Sequence, residues 1–174
     1  MNSRRKKIIV ICISSVVYLS ILCYAVAQYL YNKNYEACLF SKLENAFNSN
    51  ELTLKLDIDC KEIEYYHLGR DIKQEYLCNN KTVYNGDIIP AAEDLHFTAR
   101  ITEQDKIPDT GENSVDMVLK APFQQTATTQ VRVEEEGGTQ YKDAYAIYEV
   151  SFSIEPVLDN IKVDFWEVVF YKGT

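Results

Sequence analysis

The sequence predicts a mainly β domain, an antiparallel sheet or sandwich, preceded by one transmembrane helix and an amphipathic linker helix; an α+β fold is the alternative. Three observations carry this reading. Residues 8–30 form an uncharged apolar run, apolar residues then recur four apart to residue 48, and beyond residue 50 the apolar period becomes two. At 174 residues the chain has room for one folded domain and an appendage. A hydrophobic content of 47% and an aromatic content of 12% separate it from disordered chains.

The expected organisation is a basic cytoplasmic tail over 1–7, a membrane helix over 8–30, a linker helix over 31–50 and an extracytoplasmic β-rich domain over 51–174. A helix of 23 residues reaches roughly 34 Å, enough to cross a hydrocarbon core of about 30 Å. Arg4, Arg5, Lys6 and Lys7 precede the run and Lys33 alone follows it closely, which places the N-terminus in the cytoplasm. Tyr24, Tyr29 and Tyr31 stand at the far end, where aromatic rings prefer the lipid–water boundary. Ala25-Val26-Ala27 also reads as a signal-peptidase site, with cleavage after Ala27 and secretion as the consequence. The apolar stretch before it is long for a signal peptide, and no Gly or Pro precedes it to break the helix. A retained anchor is therefore the preferred reading.

In the linker, Tyr31, Tyr35, Leu39, Leu43 and Phe47 share one helical stripe, with Asn32, Lys33, Lys42 and Glu44 turned away. Past residue 50, Leu52, Leu54, Leu56 and Ile58 alternate with polar residues, as in a half-buried strand. The alternation returns over 95–101, 115–119, 127–134, 142–154 and 161–171. Glu136-Gly137-Gly138-Thr139 predicts a hairpin between 127–134 and 142–154, and Leu158-Asp159-Asn160 a turn into 161–171. Together these give a three-stranded meander at the end of the chain, with Tyr148, Val150 and Phe152 beneath a last strand carrying Phe165, Trp166 and Phe170. Residues 71–77 are expected as a helical turn, Pro90 as the start of a short helix, and 103–114 as a polar exposed loop.

The charge balance narrows the function. Residues 31–174 hold 14 basic and 26 acidic side chains, a net of −12, which repels phosphate backbones and disfavours nucleic acid as a partner. Asp109-Thr110-Gly111 spells the aspartic-protease triplet, but it follows Pro108 in a polar stretch and has no second copy; a turn explains it. His67 and His96 lie in no zinc-ligand spacing, and the acidic clusters lack a calcium-loop pattern. No metal, cofactor or catalytic residue is expected. Cys60 and Cys78 are the candidate disulfide pair, with Cys38 inert on the apolar side of the linker. Asn80-Lys81-Thr82 is a glycosylation sequon. Tyr65, Tyr66, Tyr141 and Tyr145 are the candidate contacts for a partner, since tyrosine joins a large rigid surface to a hydrogen-bonding tip.

The expected function is a single-pass, membrane-anchored binding or assembly module of the cell envelope, non-catalytic, with a basic or neutral protein partner. The alternatives are a secreted or anchored hydrolase using an Asp/Glu pair, and a surface or viral glycoprotein.

Overall fold

A computed structural model describes residues 3–104, 108–135 and 143–173, with side chains from residue 15 onward. The chain divides into two compact units, Met1–Lys42 with Ile161–Thr174, and Leu43–Asn160.

One helix, α1 (Ser3–Asn48), replaces the expected pair of membrane and linker helices. No Gly or Pro occurs before Gly69, so nothing interrupts its hydrogen-bond ladder where the pattern changes from apolar to amphipathic. Its end is set by Asn50, whose φ of 59° is the left-handed conformation that stops helices. Among the described residues no helix is long and apolar enough to cross a membrane, so the expected span finds no support there. The side chains of residues 8–14, the opening third of the apolar run, lie outside the described residues.

The first unit also holds α2 (Phe165–Val169), where a strand was expected over 161–171. Asp164 caps it: its carboxylate accepts from the Trp166 amide at 2.8 Å, and Glu167 accepts from the Asp164 amide at 3.2 Å. This reciprocal capping box satisfies amides that a strand would have paired. The break in alternation at Phe165-Trp166 is therefore a change of period from two to 3.6, and the three-stranded terminal meander does not form.

The second unit is a sandwich of two four-stranded antiparallel sheets. Its strands are β1 (Thr53–Tyr66), β2 (Ile72–Cys78), β3 (Lys81–Val83), β4 (Ile88–Pro90), β5 (Asp94–Glu103), β6 (Asp109–Val118), β7 (Gln125–Glu134) and β8 (Tyr145–Pro156). One sheet runs β4-β1-β8-β7 and the other β3-β2-β5-β6. The β7–β8 hairpin pairs as expected; its loop, 136–142, lies outside the described residues. The third strand beside it is β1, the longest in the fold. Residues 72–78 form a strand rather than a helical turn, and Pro90 ends edge strand β4 rather than opening a helix. The polar stretch expected as a loop is strand β6 from Asp109 on, while 105–107 lie outside the described residues. Thr110 and Glu112 face outward and pair across the ladder, Thr110 with Thr102 at 3.0 Å and Glu112 with Arg100 at 2.6 Å, while Asp109 is buried.

Between the sheets Phe97 and Phe152 stack at 4.7 Å, with Tyr76 edge-on to Phe152 at 6.0 Å. Leu54, Leu56, Ile101, Val131 and Val150 are fully buried around them. Each such side chain contributes roughly 1.5–3 kcal/mol relative to exposure. Along one side the sheets approach through β6 and β7. The Asn113 amide donates to the Gln130 carbonyl at 2.9 Å, and a Cβ on Gly111 would lie 2.1 Å from the Arg132 carbonyl oxygen. Glycine is what that approach requires.

Candidate binding face at the bulged end of β1

Along β1 the residues Leu54 and Leu56 point into the sandwich, while Lys55, Asp57 and Asp59 point out. The ladder with β8 shifts between Glu62 and Glu64, leaving Ile63 without an opposite residue. Such a bulge reverses the side-chain parity beyond it. Tyr65 now stands opposite Ala146, which is buried, and Glu64 and Tyr66 stand opposite Ile147 and Tyr145 on the outward face. His67, with a φ of 55°, then turns the chain away.

The bulge gathers an exposed cluster. Tyr66, 50% exposed, lies 6.0 Å from Tyr145, and the ring of His67 stands edge-on to Tyr66 at 4.6 Å. From β7 the Arg132 guanidinium lies over the Tyr145 ring at 4.1 Å, and it also pairs with Glu134. The Tyr145 hydroxyl donates to the Glu64 carboxylate. That hydrogen bond holds the Tyr145 pKa above its ordinary value. Exposed Ile63 adds an apolar edge. The result is an aromatic face on which the Arg132 guanidinium already has an acidic neighbour in Glu134.

Of the four tyrosines expected together, the structure joins Tyr66 and Tyr145. Tyr65 is half-buried on the other side of the strand; its hydroxyl donates to the Leu68 carbonyl and Arg70 covers its ring at 4.0 Å. Tyr141 lies outside the described residues. Ile63, His67 and Arg132 are members that the sequence reading missed. The signal for Ile63 was the doubled parity in Glu62-Ile63-Glu64-Tyr65-Tyr66, which a bulge explains and a regular strand does not; nothing along β1 signals Arg132, which comes from β7.

The remaining candidates are separate from this face. Cys60 and Cys78 are free thiols, on strands of opposite sheets. Burial raises both pKa values, and a hydrogen bond with Tyr76 partly offsets this for Cys60. Asn80 occupies the exposed two-residue turn between β2 and β3, with φ of 48° at Asn79 and 63° at Asn80, the conformation that short hairpins need. A carboxylate pair does exist: Glu103 and Asp109 face each other across β5 and β6, at 3% and 4% exposure. The Glu103 carboxylate fills the place where a side chain on Gly69 would stand. Among the described residues no three His, Cys, Asp or Glu side chains converge as a metal requires. A polar depression of about 370 Å³ lies over Lys55, Asp57, Gln125, Ser153 and Glu155, and one of about 200 Å³ adjoins the aromatic face at Arg132, Glu134, Asp143 and Tyr145.

No protein-family model, curated protein or solved structure matches the chain.

Proposed function

We propose that this chain is a single-pass, membrane-anchored binding module whose β unit stands outside the cytoplasm and holds a basic or neutral protein partner on the Tyr66–Tyr145 face. The observation that carries the binding reading is the cluster of exposed Ile63, Tyr66, His67 and Arg132 around half-buried Tyr145, because aromatic and arginine side chains are what binding hot spots are made of. The net charge of −12 over residues 31–174 sets the preferred sign of the partner. Anchoring rests on the uncharged run over 8–30 behind four basic residues. Two polar groups within that run bond along the helix, as lipid favours: Ser20 donates to the Val16 carbonyl at 2.9 Å and Gln28 to the Tyr24 hydroxyl at 3.1 Å.

Glu103 and Asp109 are a ladder pair of carboxylates that a hydrolase reading could draw on. Both are sealed in the sandwich, out of reach of a substrate, and we do not adopt that reading. The exposed turn at Asn80 would accept a glycan in a host that glycosylates extracytoplasmic proteins.

Site-directed photo-crosslinking in the native membrane tests the binding face. A crosslinker replacing Tyr66 or Tyr145 is expected to trap one discrete partner, and one replacing Thr110, on the outer face of the other sheet, is not. Equal labelling from all three positions, or none from the first two, rejects the face.

A further inference from the structure

The first unit carries a second feature that partner binding does not use. Trp166 and Phe170 of the C-terminal segment stack at 5.9 Å, and they are 58% and 71% exposed. With Phe165 and Val169 they border an apolar groove of about 620 Å³ whose other wall is α1 at Leu22, Val26 and Leu30. Aromatic surface left this open is costly in water and marks a site suited to apolar contact.

We infer that the covering material is lipid: α2 lies in the outer membrane interface beside the emerging end of α1 and serves as a second, C-terminal membrane contact. The inference rests on the anchor reading of residues 8–30 and specifies a further segment that touches the bilayer. Continuity argues for lipid over protein. The groove is the end of a surface on which Val16, Leu19, Ile21, Leu22 and Val26 are all exposed, and no charged residue interrupts it before Lys33. The polar groups of α2 lie at the opposite end. Lys42 bonds Glu167 and the Lys162 carbonyl, both at 2.6 Å, and Asn34 donates to the Val168 carbonyl at 3.1 Å. Every one of these partners on α1 comes after residue 31, and every groove residue on α1 comes before it. The unit thus has an apolar half and a polar half with a boundary near Tyr31, whose ring stacks on Phe165 at 5.1 Å. Tryptophan and tyrosine at such a boundary are the side chains that favour the headgroup region.

Trp166 is the single tryptophan of the chain, so its fluorescence reports on this site alone. The full chain is reconstituted in phosphatidylcholine vesicles brominated either high or low on the acyl chain, after flotation has shown that it is membrane-bound. Trp166 emission should shift to the blue relative to the free amino acid, and the high-brominated lipid should remove roughly half of it, more than the low-brominated lipid does. A chain that floats with Trp166 unquenched by either lipid overturns the inference and leaves the anchor reading standing. A Trp166 shielded from aqueous iodide yet unquenched by lipid means that a second copy or another protein fills the groove, which also overturns it. Failure to float overturns the anchor reading, and this inference with it.

Discussion

Phe152 shows how one position can be fixed by several independent constraints. It lies on β8, which has a paired strand on both sides, and its ring is stacked on Phe97 of the opposite sheet and met edge-on by Tyr76. Its opposite residues in the ladder are Ile58 on β1 and Ala127 on β7. Truncation removes a ring from the centre of the sandwich and leaves a cavity that paired backbones on both sides prevent from collapsing. Phe152→Ala should therefore cost roughly 3–5 kcal/mol. Domain stability is typically about 5–15 kcal/mol, so the variant should melt far below the parent. Thermal melting followed through the β-sheet circular dichroism signal is the check. A loss under roughly 1 kcal/mol, the range of surface positions, would remove Phe152 from the core. The covering layer foreseen for this residue was a terminal strand; the structure supplies Phe97 from β5.

At the scale of elements, α2 is a helix too short to persist on backbone bonds alone and depends on its cap. The hydrogen bond from Lys42, reinforced by the Asp164 amide, lowers the Glu167 pKa below its ordinary 4.5. A carboxylate whose folded pKa is depressed contributes its full stabilisation above the unfolded value and loses it as the pH falls through the folded one. Near-ultraviolet circular dichroism of the Trp166 and Phe165 pair should hence hold steady down to about pH 4.5 and change below it. Glu167→Gln should flatten that change, and an identical acid transition in the variant would assign it to another group. This helix also marks where the sequence stops being legible. Strands whose polar face alternates with a buried one, such as 127–134 and 95–101, could be read from period alone. Residues 161–171 could not, because Ile161, Val163 and Phe165 imitate strand alternation up to the residue where the cap at Asp164 starts a helix. Residues 109–114 misled in the opposite way: their outward Thr, Glu and Ser pair with β5 neighbours, a partnership invisible along one strand. At the proposed binding face, Tyr66 and Tyr145 were legible as tyrosines. Arg132 was not, because only the β7–β8 register brings it onto the ring of Tyr145.

Over the molecule as a whole, the chain distributes its charge unevenly. Four positive charges and no negative one precede the apolar run, and all 26 acidic residues follow it. Basic residues resist translocation and the positive side is retained in the cytoplasm, so if residues 8–30 span a membrane as proposed, this asymmetry favours one orientation: residues 1–7 inside, both the sandwich and α2 outside. The two halves of the proposed role need that same orientation. The Tyr66–Tyr145 face meets a partner only if the sandwich is exported, and α2 reaches the outer interface only if it emerges on the same side. Protease added to intact cells should consequently remove an epitope placed in the β2–β3 turn at Asn80, which is exposed, and spare an epitope fused ahead of Met1. A sandwich that survives in intact cells and is lost only on lysis would reverse the orientation and remove both proposals at once. N-terminal sequencing of the same material separates the remaining two cases. A mature chain beginning at Gln28 would mean cleavage after Ala27 and release of the sandwich, with the apolar wall of the groove at Leu22 and Val26 lost. An intact N-terminus keeps α1 whole and the β unit at the membrane.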